Sequence, residues 1–222
     1  MTALQGVRWI AVERDGERWP FAYVAYVEFG ASETAGANDP LFGGNDGCNW
    51  YDASGSLDGD RLNIGQAAST LMDCGPGADG AIPADGDRLR LSDDGSTLDV
   101  VDRDGHSRLT YVRADGLTAA SPDDLIGSWQ LDPDDPAVVA IDAKGAITFG
   151  ACRWSWRLEE KLTVSGFPSD PYSCLGVTPS QTPSRLVEMF VNGPVDARLS
   201  TQGDLYLTDG QFVIRLTPQP SD

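Results

Sequence analysis

The sequence predicts a mainly β, antiparallel protein built as two consecutive units. Two observations carry this. Short runs of β-branched and aromatic residues alternate with Asp-Gly turns at Asp15-Gly16, Asp58-Gly59, Asp94-Gly95 and Asp104-Gly105, which is the pattern of an antiparallel meander. A set of landmarks from the first half then returns in the second: Gly6–Trp9 as Gly127–Leu131, Gly47–Trp50 as Gly150–Trp154, Leu62–Ile64 as Leu162–Val164, and Met72–Cys74 as Tyr172–Cys174. The 222 residues are enough for one large β domain or two small ones.

Taken in order, Gly6–Val12 alternates as a strand, and Asp15-Gly16 turns it into a long strand over Trp19–Phe29, rich in aromatics and Val. Residues 30–40 are small and polar and read as a loop. Strands follow at Asn49–Tyr51, Arg61–Ile64, Arg88–Leu91, Thr97–Val101 and Arg108–Val112. The breaker-rich stretch Gly75–Gly86 reads as a loop. Residues 114–124 hold little that could build a core, so the units divide into 1–113, a linker 114–124, and 125–222. In the second unit, strands are expected at Gly127–Leu131, Val138–Ile141, Ala146–Phe149, Leu162–Val164, Ala197–Leu199, Leu205–Leu207 and Phe212–Leu216. One short helix is expected over Thr182–Phe190. Thr182 suits its cap, Pro183 its first turn and Gly193 its stop, while Leu186, Met189 and Phe190 share one face.

Charge excludes whole classes of function. With 34 acidic and 16 basic residues the formal charge is -18, a field that repels phosphate backbones and anionic lipid. No nucleic-acid partner is expected. The acids are scattered through turns and read as a self-repelling surface, so a monomer is expected. No apolar run reaches the length of a membrane span.

Four cysteines fall two per half at matching places, which favours bridges Cys48–Cys74 and Cys152–Cys174 among the three formal connectivities. Loops of that size stabilise by roughly 3–4 kcal/mol each in the chain-entropy account. The competing reading is buried free thiols in a cytosolic protein. The cysteine spacing fits neither zinc nor a redox dithiol, and His106 is the one histidine. No metal and no cofactor is expected. No basic, apolar leader precedes Gly6, so the chain reads either as cytoplasmic or as an extracytoplasmic protein whose leader is not part of this sequence.

The remaining chemistry is sparse. Gly47 is expected at positive φ beside Cys48, and Asn49 is expected to satisfy nearby backbone groups. Trp9, Trp50, Trp129 and Trp154 recur at equivalent places and read as core. Trp19 and Trp156 have no counterpart, which makes them the candidates for an exposed stacking surface. His106 sits at a hairpin tip, with no Gly-x-Ser-x-Gly to serve it. Asp46, Asp52, Asp58 and Asp60 crowd one region, and Asp102 and Asp104 another. None fits a twelve-residue calcium loop, and turn chemistry accounts for the Asp-Gly pairs. No carboxylate pair stands out for hydrolysis, and no catalytic residue is assigned.

The ordered set Gly6–Trp9, Gly47-Cys48-Asn49-Trp50-Tyr51, Leu62–Gly65 and Ser69-Thr70-Leu71-Met72-Asp73-Cys74 resembles the META domain, the HslJ-like family of bacterial cell-envelope proteins. The resemblance covers the first half. The second half departs from it, with Arg153 in place of the Asn and the Thr-x-Met lost, and reads as a diverged copy. It implies two small antiparallel β-barrels in tandem, motif residues Gly47, Asn49, Trp50, Thr70 and Met72, and no catalytic set. The function it implies is a non-enzymatic envelope, secreted or lipoprotein role, binding or stabilising at the cell surface. The rivals are a carbohydrate- or small-ligand-binding barrel, a hydrolase using acidic residues, and a calcium-dependent protein.

Overall fold

The computed structural model describes residues 3–30, 40–71, 82–132, 135–173 and 181–219. The protein is mainly β, with two nine-stranded antiparallel sheets in two compact units, Met1–Gly116 and Leu117–Asp222.

The first unit contains β1 (Arg8–Arg14), β2 (Glu17–Arg18), β3 (Tyr26–Phe29), β4 (Pro40–Asn45), β5 (Trp50–Asp58), β6 (Arg61–Ser69), β7 (Arg88–Leu91), β8 (Thr97–Val101) and β9 (Ser107–Arg113). Their order is β2-β1-β3-β4-β5-β6-β7-β8-β9, and β1 also pairs with β9 and closes the sheet. The inward positions are apolar and buried: Trp9 and Ala11 on β1, Val27 on β3, Leu62 on β6, Leu98 and Val100 on β8, Leu109 and Tyr111 on β9. Asp15 and Gly16 both take positive φ in the first hairpin, the conformation that its two-residue turn demands.

The second unit contains β10 (Thr118–Ala119), α1 (Pro122–Leu125), β11 (Gly127–Asp132), β12 (Asp135–Ile141), β13 (Ala146–Phe149), β14 (Cys152–Leu158), β15 (Leu162–Ser165), α2 (Gln181–Asn192), β16 (Asp196–Leu199), β17 (Leu205–Thr208) and β18 (Val213–Pro218). The order is β10-β16-β17-β18-β11-β12-β13-β14-β15, and a bridge between Leu162 and Val195 joins its far side. On α2, among the residues whose burial is described, Leu186, Val187, Met189 and Phe190 are buried.

Four differences from the sequence reading have local causes. Trp19–Phe29 is not one strand. Only Tyr26–Phe29 is extended into the sheet, because Pro20 brings no N–H and the Trp19 indole donates to the Tyr23 carbonyl at 2.7 Å, folding the intervening residues into a turn. Strand β4 takes in Gly43-Gly44, where no strand was expected. Those glycines allow close contact: a Cβ on Gly44 would overlap the Tyr26 carbonyl oxygen. The stretch 114–124 is ordered, with a 3-10 turn at Ala114–Gly116, buried Leu117, β10, and a capping box in which Ser121 and Asp124 close the start of α1. α2 begins at Gln181, so Thr182 is already helical. The expectations for residues 31–39, and for Gly75, Pro76, Gly77 and Gly80, lie outside the described residues.

Candidate functional site

The turn between β4 and β5 gathers most of the sequence motif. Asn45 pairs with Trp50 across its base. Asp46 Oδ1 accepts from the amides of Cys48 (2.8 Å) and Asn49 (2.6 Å), and Asn45 Oδ1 accepts from the Gly47 amide (2.8 Å). This is local side-chain-to-backbone bonding of the Asx type, which stabilises a turn without a ligand. Gly47 sits at φ +96°, the left-handed region expected of it, with the Trp19 ring 3.6 Å and the Tyr23 carbonyl 3.4 Å from where a Cβ would stand. Asn49 reaches the backbone through a relay. Thr70 Oγ1 donates to Asn49 Oδ1 (3.0 Å) and accepts from the Trp50 amide (3.1 Å), while the Thr70 amide donates to the Trp50 carbonyl (3.0 Å). The structure therefore brings Gly47, Asn49, Trp50 and Thr70 together. Met72 lies outside the described residues.

Sequence reasoning missed the central part played by Asp46. The Asn-Asp-Gly run ahead of Cys48 was the signal, since Asx residues preceding Gly favour such turns. Asn45 Nδ2 is buried with no hydrogen-bond partner among the described residues.

Cys48 and Cys152 are each disulfide-bonded, and no described cysteine is a free thiol. Cys74 and Cys174 lie outside the described residues.

The tryptophans divide differently from expectation. Trp19 is 1% exposed, so it belongs to the core and offers no stacking surface; its size and its bond to Tyr23 bury it. Trp156 is half-buried, and its indole donates to the Asp142 carbonyl at 3.2 Å. Trp9, Trp129 and Trp154 are buried, but Trp50 is only half-buried. The turns explain it. In the second unit Phe149 pairs with Cys152 across a two-residue turn, whereas four residues separate Asn45 from Trp50. Buried positions on β5 are Tyr51 and Ala53, and on β14 Cys152 and Trp154. Counting from the cysteine aligns Trp50 with Trp154, but the pleat places Tyr51, not Trp50, on the buried face.

Two tyrosines and an ion pair make the interior of the first unit partly polar. Tyr51 donates to the Tyr26 carbonyl at 3.1 Å, and Asp87 accepts from Arg108 Nη1 (2.6 Å) and the Ala84 amide (2.8 Å). A bulge on β9, where Val100 pairs with Leu109 and Val101 with Ser107, leaves Arg108 out of register beside Asp87. Burial pushes the Tyr51 hydroxyl well above its ordinary range, with Tyr111 and Asp46 adding to the shift. Burial likewise raises Tyr111, against the opposing charge of Arg108. Both phenols stay protonated at neutral pH, and Tyr51 acts as a donor.

Elsewhere the acids serve turns. Asp102, Asp104 and His106 lie within 4.8 Å of one another. Asp102 Oδ1 accepts from the amides of Asp104 (2.9 Å) and His106 (2.8 Å), and this backbone bonding, the His106 amide first, lowers its pKa. His106 is exposed, 3.6 Å from Asp102 Oδ2. Asp52 and Asp58 are exposed, and Asp60 pairs with Arg88 at 3.3 Å.

No helix among the described residues is long and apolar enough to cross a membrane. No curated protein matches the chain. Among solved structures it is similar to the DNA polymerase sliding clamp from Bacillus subtilis at 11% identity. That alignment covers 100% of this chain and 59% of that one at a TM-score of 0.20, a likeness that carries no argument. The family model of the META domain matches residues 2–81, the stretch that holds the opening strand, the Asn45–Tyr51 turn and Thr70.

Proposed function

We propose that this chain is a non-enzymatic, extracytoplasmic protein of two META-like units in tandem, acting by binding or stabilising at the cell surface. Bridges Cys48–Cys74 and Cys152–Cys174 clamp each unit. The observation that carries the reading is how the motif's polar groups are used. Asp46, Asn49 and Thr70 hold their own turn together, beside a cysteine already bonded to another sulfur. Disulfides persist in oxidising compartments, which favours a location outside the cytoplasm.

Sheet order supports the duplication. The run β7-β8-β9-β1-β3-β4-β5-β6 of the first unit has the same connectivity as β16-β17-β18-β11-β12-β13-β14-β15 of the second. The opening tryptophans also match. Trp9 donates to the Leu4 carbonyl at 3.4 Å and Trp129 to the Leu125 carbonyl at 2.9 Å.

Intact mass under non-reducing conditions, followed by peptide mapping, tests the bridges. The protein should fall short of its reduced mass by the four hydrogens of two disulfides, with 48 linked to 74 and 152 to 174. Linkage between the halves would overturn the two-clamp arrangement. Fractionation of cells expressing the native gene tests the compartment, and recovery in the cytoplasm with reduced thiols would overturn it.

A further inference from the structure

Among the described residues, the far half of β6 pairs with β5 on one side and with no strand on the other. β6 is nine residues long but meets β7 only at Arg61, which pairs with Arg88. Its near end is satisfied on the side away from β5: the Leu62 amide donates to the Asp87 carbonyl (2.8 Å) and the Ile64 amide to Asp85 Oδ1 (3.0 Å). The register then shifts by one residue between Ser54 and Gly55. At the far end the Thr70 amide turns toward β5 and donates to the Trp50 carbonyl. Alternation back from Thr70 puts Ala68 and Gln66 on the β5 side and Ala67 and Ser69 on the open side. Ala67 and Ser69 are exposed and make no main-chain bond on that side among the described residues. Leu71, the next residue of that phase, is 98% exposed.

Edge strands are ordinarily blunted by shortness, charge or proline. β2 is two residues long and both are charged, β10 has two residues, and β15 has four, with Lys161 just before it. The stretch Asn63–Ser69 has no charge and no proline, and Ala67, Ala68 and Ser69 at its far end are small. Two residues further on, Leu71 is a large apolar side chain in full contact with water.

We propose that this edge takes an extended, basic polypeptide segment as an added antiparallel strand. Main-chain bonds to Ala67 and Ser69 supply the pairing, and an apolar side chain of the segment covers Leu71. Charge selects the occupant. The chain carries a formal charge of -18, and exposed Asp52 pairs with Ala68 across the hairpin. A second copy is repelled and a Lys- or Arg-bearing strand is attracted. This surface depends neither on the disulfide pairing nor on the compartment proposed above.

The test uses the full chain and three synthetic seven-residue peptides: Lys-Thr-Val-Lys-Val-Thr-Lys, its Glu-for-Lys counterpart, and the basic peptide N-methylated at alternate residues. Fluorescence anisotropy should show saturable binding of the basic peptide, weakening as salt rises. N-methylation should weaken it by about tenfold or more, because each lost main-chain bond contributes of order 1 kcal/mol. Amide exchange should find Ala67 and Ser69 unprotected in the free protein and protected with peptide. Ala67→Pro, at an amide that no β5 group uses, should abolish binding. The anisotropy and exchange readings on the unmodified protein decide the matter whether or not that variant folds. Equal binding of the N-methylated peptide would reduce the effect to bulk charge and overturn the proposal. So would no binding of the basic peptide, or slow exchange at Ala67 and Ser69 in the free protein at all dilutions, which would mean that the edge is already occupied.

Discussion

At the scale of single residues, the tightest constraint is Gly44. A Cβ there would overlap the Tyr26 carbonyl oxygen and stand 3.0 Å from the Tyr51 hydroxyl. Backbone cannot give way as a flexible side chain can, so Gly44→Ala should destabilise the first unit by at least ~1–3 kcal/mol, the usual penalty of overpacking. The measurement is a shift of the urea midpoint at unchanged slope. Asp46→Ala should also destabilise, since it strands the buried amides of Cys48 and Asn49, each costing about 1–3 kcal/mol when left unmade. Thr70→Val tests the relay separately and should cost less, because the Thr70 amide keeps its bond to Trp50. Gly47 was legible in the sequence, because a glycine beside a cysteine between strands asks for left-handed backbone. The fate of Trp19 was not. Its burial depends on the Tyr23 carbonyl and on the contact with Gly47, neither of which has a periodic signature.

At the scale of elements, the Asp-Gly hairpins were the clearest signal. Strands β7, β8 and β9 fall within a residue of where alternation and turn chemistry place them. The β7–β8 turn shows why. Asp94 Oδ1 accepts from Ser92 Oγ (2.6 Å), the Ser96 amide (3.0 Å) and Ser96 Oγ (2.8 Å), and these bonds, Ser92 first, lower the Asp94 pKa to about 2. A carboxyl lowered on folding stabilises above its unfolded value and loses that contribution as pH falls through its folded value. The turn's contribution should therefore be intact at neutral pH and disappear toward pH 2. An NMR titration should place the Asp94 midpoint near 2 in the native protein and move it up toward 3.8 in Ser92→Ala. A midpoint unchanged by that substitution would remove the hydroxyl as the main cause. The strand ends were less legible than the turns. Nothing in the composition of Gln66–Ser69 marks it as the continuation of β6, because its pairing is set by β5 and not by its own β propensity.

At the scale of the molecule, the two sheets share one strand connectivity, while the landmarks expected at equivalent places do not fall on the same side of the pleat. The Gly47 turn has four residues and the Gly150 turn two, so a count from Cys48 and Cys152 slips the pleat by one side chain. Charge acts at this scale too. The described basic residues include partners in Arg8–Glu28, Arg88–Asp60, Arg103–Asp85, Arg108–Asp87 and Lys161–Asp196. Yet 34 acids face 16 bases, so most of the excess negative charge has no counterion within the fold. Salt screens both terms, but in opposite directions: it weakens exposed ion pairs, which contribute about 0–1 kcal/mol each, and it relieves the long-range self-repulsion of the compact state. With a formal charge of -18 the second term dominates. The melting temperature should therefore rise as NaCl is raised from about 10 to about 150 mM, where the screening length shrinks from ~30 to ~8 Å. Differential scanning calorimetry at fixed pH measures it. A fall over that range would mean that the paired arginines, and not the unpaired carboxylates, govern how charge bears on the fold.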